Sequence, residues 1–315
     1  MAADAILVRR AVKRPPIKSF CPLTVEWNCP PLLSGHPKNC TFRAVSRSMI
    51  NLPSVTNPSP ECTESGAPAG DFPTLPNAPI VEALIDIRVT LPTDIDLDRL
   101  KTFPEPFPGR FPQSKLRSSA ATRIAFNHEA PPVVTSEGPT PDGYFFTGPG
   151  GDLIAQARLD GFTLSKLKPY ESWKTFCPQF VELWNRYISI AHPLKITRVA
   201  LRYTNRIELP LGVDFKEYLL TVPEIAPGIP QSLPALLMRL VIPSPSGNIA
   251  IVTETAGDTP HDPSVFPLIF DIDVFRDVDM STSDTALWTL IRDLRSYKNT
   301  IFFKSLTPTA LRMYE

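Results

Sequence analysis

From residue 80 onward the chain alternates between apolar and polar positions. Val81, Ala83, Ile85, Ile87 and Val89 share one face, and Glu82, Asp86 and Arg88 the other. A period of two marks a half-buried β-strand. After Leu91-Pro92, residues 94–100 read as a short helix whose early acids suit its N-terminus. Strands are predicted near 123–127, 144–147, 153–158 and 162–165, with Gly148-Pro149-Gly150-Gly151 as a hairpin loop between two of them. A long helix is predicted over about 171–190. Trp173, Phe176, Phe180, Trp184 and Tyr187 fall on one stripe, and Cys177 lies at an apolar spacing beside them. Pro178 implies a kink or a later start.

The order then repeats. Residues 195–207 read as a strand with Val199, Leu201, Tyr203, Asn205 and Ile207 on one face. Leu209-Pro210 precedes a second short helix over 213–219, strands near 235–242, 248–254 and 266–275, and an amphipathic helix after Ser283 carrying Leu287, Leu290, Ile291 and Leu294. At an offset of 118 residues Arg88 aligns with Arg206, Val89 with Ile207, Leu91-Pro92 with Leu209-Pro210, and Asp96 with Asp214. The predicted architecture is α+β: two tandem β-α-β-β-β-α units over 77–192 and 193–315, with antiparallel sheets and a long helix packed on one face.

Residues 1–76 show neither period. Pro15-Pro16, Pro30-Pro31 and Pro58-Ser59-Pro60 punctuate them, in a chain with 37 prolines. Such a segment buries too little apolar surface to offset the entropy of ordering it, so it is expected to be disordered. Charge is also unevenly spread. The whole chain is neutral, but residues 1–48 hold eight of its 32 basic and two of its 32 acidic residues. A basic arm therefore precedes an acidic body, which disfavours nucleic acid as a partner. No apolar run reaches the length of a membrane span, and the N-terminus lacks a secretory h-region. The expected location is the cytoplasm. Cys21, Cys29, His36 and Cys40 lack the tight knuckle of a structural zinc site, so neither metal nor cofactor is expected.

Four stretches carry a family resemblance: Asn77-Ala78-Pro79-Ile80-Val81-Glu82-Ala83; Gly161-Phe162; Lys168-Pro169-Tyr170-Glu171-Ser172-Trp173; and Arg198-Val199-Ala200-Leu201-Arg202-Tyr203-Thr204-Asn205-Arg206-Ile207. Over about residues 77–315 the chain resembles a sporadically distributed prokaryotic family of uncharacterised proteins. The resemblance brings no chemistry with it. The family's patchy occurrence implies an accessory role in a defence or toxin–antitoxin locus. Residues before 77 have no counterpart there, which implies a private extension or a true start at Met49 or later. The element order is similar to TATA-box-binding-like and helix-grip folds, an analogy that says little about function.

The candidate binding residues lie on the strand over 195–207. Alternation puts Arg198, Arg202 and Arg206 on its polar face, where they either contact a ligand or form cross-strand ion pairs with Glu82 and Asp86. Tyr203 and Asn205 are added as candidate contacts, with a satisfied core amide as the rival reading of Asn205. No catalytic residue is assigned, because G-x-x-x-x-G-K-[ST], G-x-S-x-G and H-E-x-x-H are all absent. The function expected is a non-enzymatic binding module for another macromolecule, most readily a protein. The alternative is a small-ligand-binding or enzymatic protein with a cavity between sheet and long helix.

Overall fold

A computed structural model describes residues 72–315, apart from 121, 128–129, 137, 232–234, 259–261 and 284; side chains over 121–137 are also outside the description. The described residues all belong to the unit Thr56–Glu315. Cys21, Cys29, His36, Cys40, His128 and His261 lie outside the described residues, as does the basic arm.

The architecture is α+β, dominated by one antiparallel sheet. Its strands are β1 (Ile80–Thr90), β2 (Gln113–Ser119), β5 (Thr140–Thr147), β6 (Leu153–Arg158), β7 (Gly161–Leu167), β8 (Lys195–Pro210), β9 (Leu237–Pro243), β10 (Ile249–Ala256) and β11 (Val265–Met280). They lie in the order β2-β5-β6-β7-β1-β8-β11-β10-β9, and β3 (Thr122–Asn127) with β4 (Ala130–Ser136) forms a separate two-stranded sheet. The expected halves thus meet at the antiparallel pairing of β1 with β8, which joins their strands into one sheet. The short helix α1 (Leu97–Lys101) follows β1, and a 3-10 turn, Phe215–Glu217, follows β8. The aligned acids Asp96 and Asp214 cap them, accepting from Arg99 N at 2.9 Å and from Lys216 N at 2.9 Å.

The long helices α2 (Trp173–Ala191) and α3 (Ala286–Ser305) cover one face of the sheet. Ile87 stands opposite both Phe162 and Val199, and Tyr203 opposite Ile272, so alternation carries one apolar face across the central strands. On that face Phe162 packs against Phe180, Trp184 and Tyr187 of α2, and Phe270 against Phe302 of α3. The predicted aromatic stripe and Cys177 are buried core. A last short helix, α4 (Pro308–Arg312), follows.

Several expectations change in detail. Helix α2 begins at Trp173, capped by the Ser172 hydroxyl, and runs through Pro178 rather than starting after it. Strands β2 and β4 were not predicted: β2 is a polar edge strand with no apolar alternation, and β4 contains Pro131-Pro132. The ordered body also begins before residue 77. Phe72 stacks on Phe303 with ring centroids 4.9 Å apart, Leu75 packs on the core, and Asn77 N donates to Tyr314 O at 3.2 Å. Aromatic packing onto the C-terminal helices draws this stretch in despite its prolines. No helix among the described residues is long and apolar enough to cross a membrane.

Candidate functional site

The sheet face opposite α2 and α3 carries a network of charged side chains. Residues 82, 84, 86 and 88 of β1 point to it, as do 198, 202, 204 and 206 of β8 and 271 and 273 of β11, by alternation with the buried apolar positions. Asp86 is at the middle. Its Oδ1 accepts from Arg158 Nη2 at 2.8 Å and from Thr163 Oγ1 at 2.6 Å, and its Oδ2 from Arg198 Nη1 at 3.3 Å. Arg158 also donates to Thr163, and through Nε to Asp160 at 2.7 Å. Burial works to raise the Asp86 carboxyl, but Arg158, Thr163 and Arg198 outweigh it and hold the group below its ordinary range. Burial likewise opposes the charge on Arg158, and Asp86 and Asp160 overcome it.

A glycine makes the Asp86–Arg158 contact possible. Gly161 stands opposite Arg88 with φ +155°, and a Cβ there would lie 2.2 Å from the Ile87 carbonyl oxygen and 3.0 Å from Arg158 Nη2. Only glycine lets β7 approach β1 this closely while the guanidinium passes over it.

The second half of the network is built on β8 and β11. Arg198 Nη2 reaches Asp273 at 3.5 Å while its guanidinium sits 4.3 Å from the centroid of the Phe275 ring. Arg202 Nε donates to Asp271 Oδ1 at 2.8 Å, and Thr204 Oγ1 donates to the same oxygen at 2.9 Å. Arg206 pairs with Glu208 at 3.4 Å. Burial pushes the Asp273 carboxyl up despite Arg198 and Arg202.

The five candidate residues therefore divide between two faces. Arg198, Arg202 and Arg206 share the open face as expected. Tyr203 and Asn205 point into the helix-covered core and cannot join them at one site. Asn205 Nδ2 donates to Phe270 O at 3.0 Å and Tyr203 O at 3.4 Å, a satisfied core amide. Tyr203 shares a hydroxyl hydrogen bond of 3.1 Å with Tyr170. The ion pairs differ from expectation too. Asp86 does pair with a β8 arginine, but with Arg198. Arg202 stands opposite Leu84 and leans to the other neighbouring strand, where Asp271 offers a carboxylate one diagonal away.

Among the described residues Arg202, like Arg206, commits only its Nε, but it is the more exposed of the two and the one held by a buried carboxylate. Its side chain is 37% exposed, and among the described residues only its Nε is hydrogen-bonded, so both terminal nitrogens keep their donors. Asp271, buried and shared with Thr204, fixes the orientation of that guanidinium.

Two ionisable side chains on the helix-covered side were not singled out by the sequence. Lys298 sits 3.9 Å from the Tyr203 ring centroid, and burial, with Arg295 nearby, pushes it down to about 7. Glu254 is buried with no hydrogen-bond partner on Oε2, and burial pushes it up to about 7. Lys298 continues the 287, 290, 291, 294 stripe, and Glu254 alternates with Ala250 and Val252; those spacings were the available signal. Asp271 and Asp273 could be found in the same way, as the polar members of the alternating stretch through Phe270, Ile272 and Val274. Arg158, at the end of β6, gave no such signal. Among the described residues no group of three or more His, Cys, Asp or Glu side chains is arranged to hold a metal ion.

No protein-family model matches the chain, and no curated protein matches it.

Proposed function

We propose that the chain is a non-enzymatic binding module that engages another protein through the open face of its sheet, with Arg202 as the anchor. The observation that carries this reading is the half-exposed guanidinium of Arg202, held by a buried carboxylate with its terminal donors free. A pre-oriented arginine of this kind loses little entropy when it meets a carboxylate or backbone carbonyl of a partner, and arginine is enriched among interface anchors. The balance of charge favours protein over nucleic acid. Arg158, Arg198, Arg202 and Arg206 each already face an acid, so the surface offers no excess positive potential to a phosphate backbone. A role as an accessory component of a defence or toxin–antitoxin locus fits a module of this type.

The same reading includes tandem duplication of a β-α-β-β-β-α unit, in the manner of TATA-box-binding-like folds. The register between β1 and β8 supports it: Ile85↔Leu201 and Ala83↔Tyr203 exchange with one another at the 118-residue offset, as do Asp86↔Ala200 and Glu82↔Thr204. The test of function is affinity purification of the full chain, with mass spectrometry and nucleic-acid detection on the eluate. A protein retained by the wild type and lost with Arg202→Ala supports the reading, and bound nucleic acid contradicts it.

A further inference from the structure

We infer that strand β9 is the contact edge of a homodimer, in which two copies pair antiparallel and continue one sheet into the next. The surface is separate from Arg202. The two free edges of the large sheet are β2 and β9, and they differ in kind. Edge β2 is polar, carries Lys115 and Arg117, and breaks register between Arg117 and Ser118. Those are the features by which an edge resists pairing. Edge β9, Leu-Met-Arg-Leu-Val-Ile-Pro, has one charge, and leaves Leu237 72% and Val241 60% exposed.

The backbone specifies the pairing. Ser244 N donates to Asn248 O, and Ala256 N to Leu236 O, so the even-numbered residues of β9 bond inward to β10. Leu237, Arg239 and Val241 therefore direct N–H and C=O outward, and Pro243 directs only C=O outward. A twofold axis through Leu240 places outward residue against outward residue: Arg239 faces Val241 of the second copy, and Leu237 faces Pro243. The missing Pro243 donor costs one rung at each end of the pairing, and no other rung is lost. On the helix-covered side Leu240 meets its own copy and Met238 meets Ile242. All of these cross-strand pairs are apolar or place Arg239 against an aliphatic side chain, whereas an axis through Arg239 would oppose like charges. This self-complementarity under a twofold axis selects a second copy of the chain as the occupant.

The test is sedimentation velocity of the full chain from sub-micromolar to tens of micromolar. Wild type is expected to shift from 34.9 kDa to twice that mass. Val241→Pro removes an outward donor that makes no internal bond, and Val241→Lys puts a charge on the edge. Both are expected to stay monomeric with an unchanged far-UV spectrum and melting temperature. Under mild oxidation Leu240→Cys is expected to give a covalent dimer beyond the wild-type background, because that residue faces itself across the axis, and Met238→Cys is not. A wild type that stays monomeric throughout overturns the inference. So does a dimer that survives both Val241 substitutions, or one in which Leu240→Cys fails to cross-link.

Discussion

Leu84 stands opposite Arg202 across the β1–β8 pair, and the two are 118 residues apart, the offset at which the halves of the chain align. Each is therefore the other's counterpart under the proposed duplication, and they mark the centre of the register. At that point an aliphatic side chain of one half faces a guanidinium of the other. The face thus has a single arginine at its middle rather than a symmetric pair.

Arg202 and Asp271 form a partly exposed pair. Arg202→Ala is expected to cost about 0.2–1 kcal/mol of stability, because Thr204 still donates to Asp271. A double-mutant cycle by denaturant unfolding should register coupling of Arg202 with Asp271 and none with Asp86. Coupling to Asp86 instead would mean that the two halves of the network are wired differently.

Asp86 is the opposite case. Asp86→Ala takes the buried, shared carboxylate from Arg158, which keeps only Asp160, and from Arg198, which keeps only Asp273, and is expected to cost about 3–5 kcal/mol. Equilibrium urea unfolding measures it. A loss under ~1 kcal/mol would show that water reaches these guanidinium groups freely.

Gly161→Ala tests the close approach of β7 to β1. The added Cβ meets the Ile87 carbonyl and the backbone φ is unfavourable for any other residue. The expected loss is about 1–3 kcal/mol from backbone strain alone, read as a drop in melting temperature. An unchanged melting temperature would rule out the tight packing that brings Arg158 to Asp86.

Two carboxyls give pH effects of opposite sign. Asp86 is held below its unfolded value, so its contribution is full above that value and is lost as pH falls through the folded one. Glu254 is raised from 4.5 to about 7, so the native state holds a proton that the unfolded state has released, and stability declines as pH rises through that window. The stability of Glu254→Gln relative to wild type is expected to grow by about 3 kcal/mol between about pH 4 and pH 8. Parallel pH–stability curves for the two proteins would mean that Glu254 is solvated in the native state.

Much of the frame was legible because alternation reports a half-buried strand directly. The period-two runs through Ile85 and Leu201 located β1 and β8, and the stripe from Trp173 to Tyr187 located α2. Strand β2 escaped because an edge with both faces polar leaves no alternation. The site was half legible for the same reason. Alternation put Arg198, Arg202 and Arg206 on one face and Tyr203 and Asn205 on the other, so the five could not share one site. It could not choose Asp271 over Glu82 or Asp86 as the partner of Arg202, since that depends on which strand lies on the far side of β8. Strand order is a long-range property that no local period encodes.

Arg202 is proposed to anchor a protein partner on the open face. The most direct test is the salt-dependent binding of the purified partner to wild type, Arg202→Ala and Lys216→Ala, measured by calorimetry on full chains. Lys216 serves as a control because it is exposed and paired with Glu224 away from the network. Arg202→Ala is expected to weaken binding at least tenfold, about 1.4 kcal/mol, with a melting temperature close to wild type, while Lys216→Ala is expected to bind as wild type does. Equal affinity for all three proteins would contradict it.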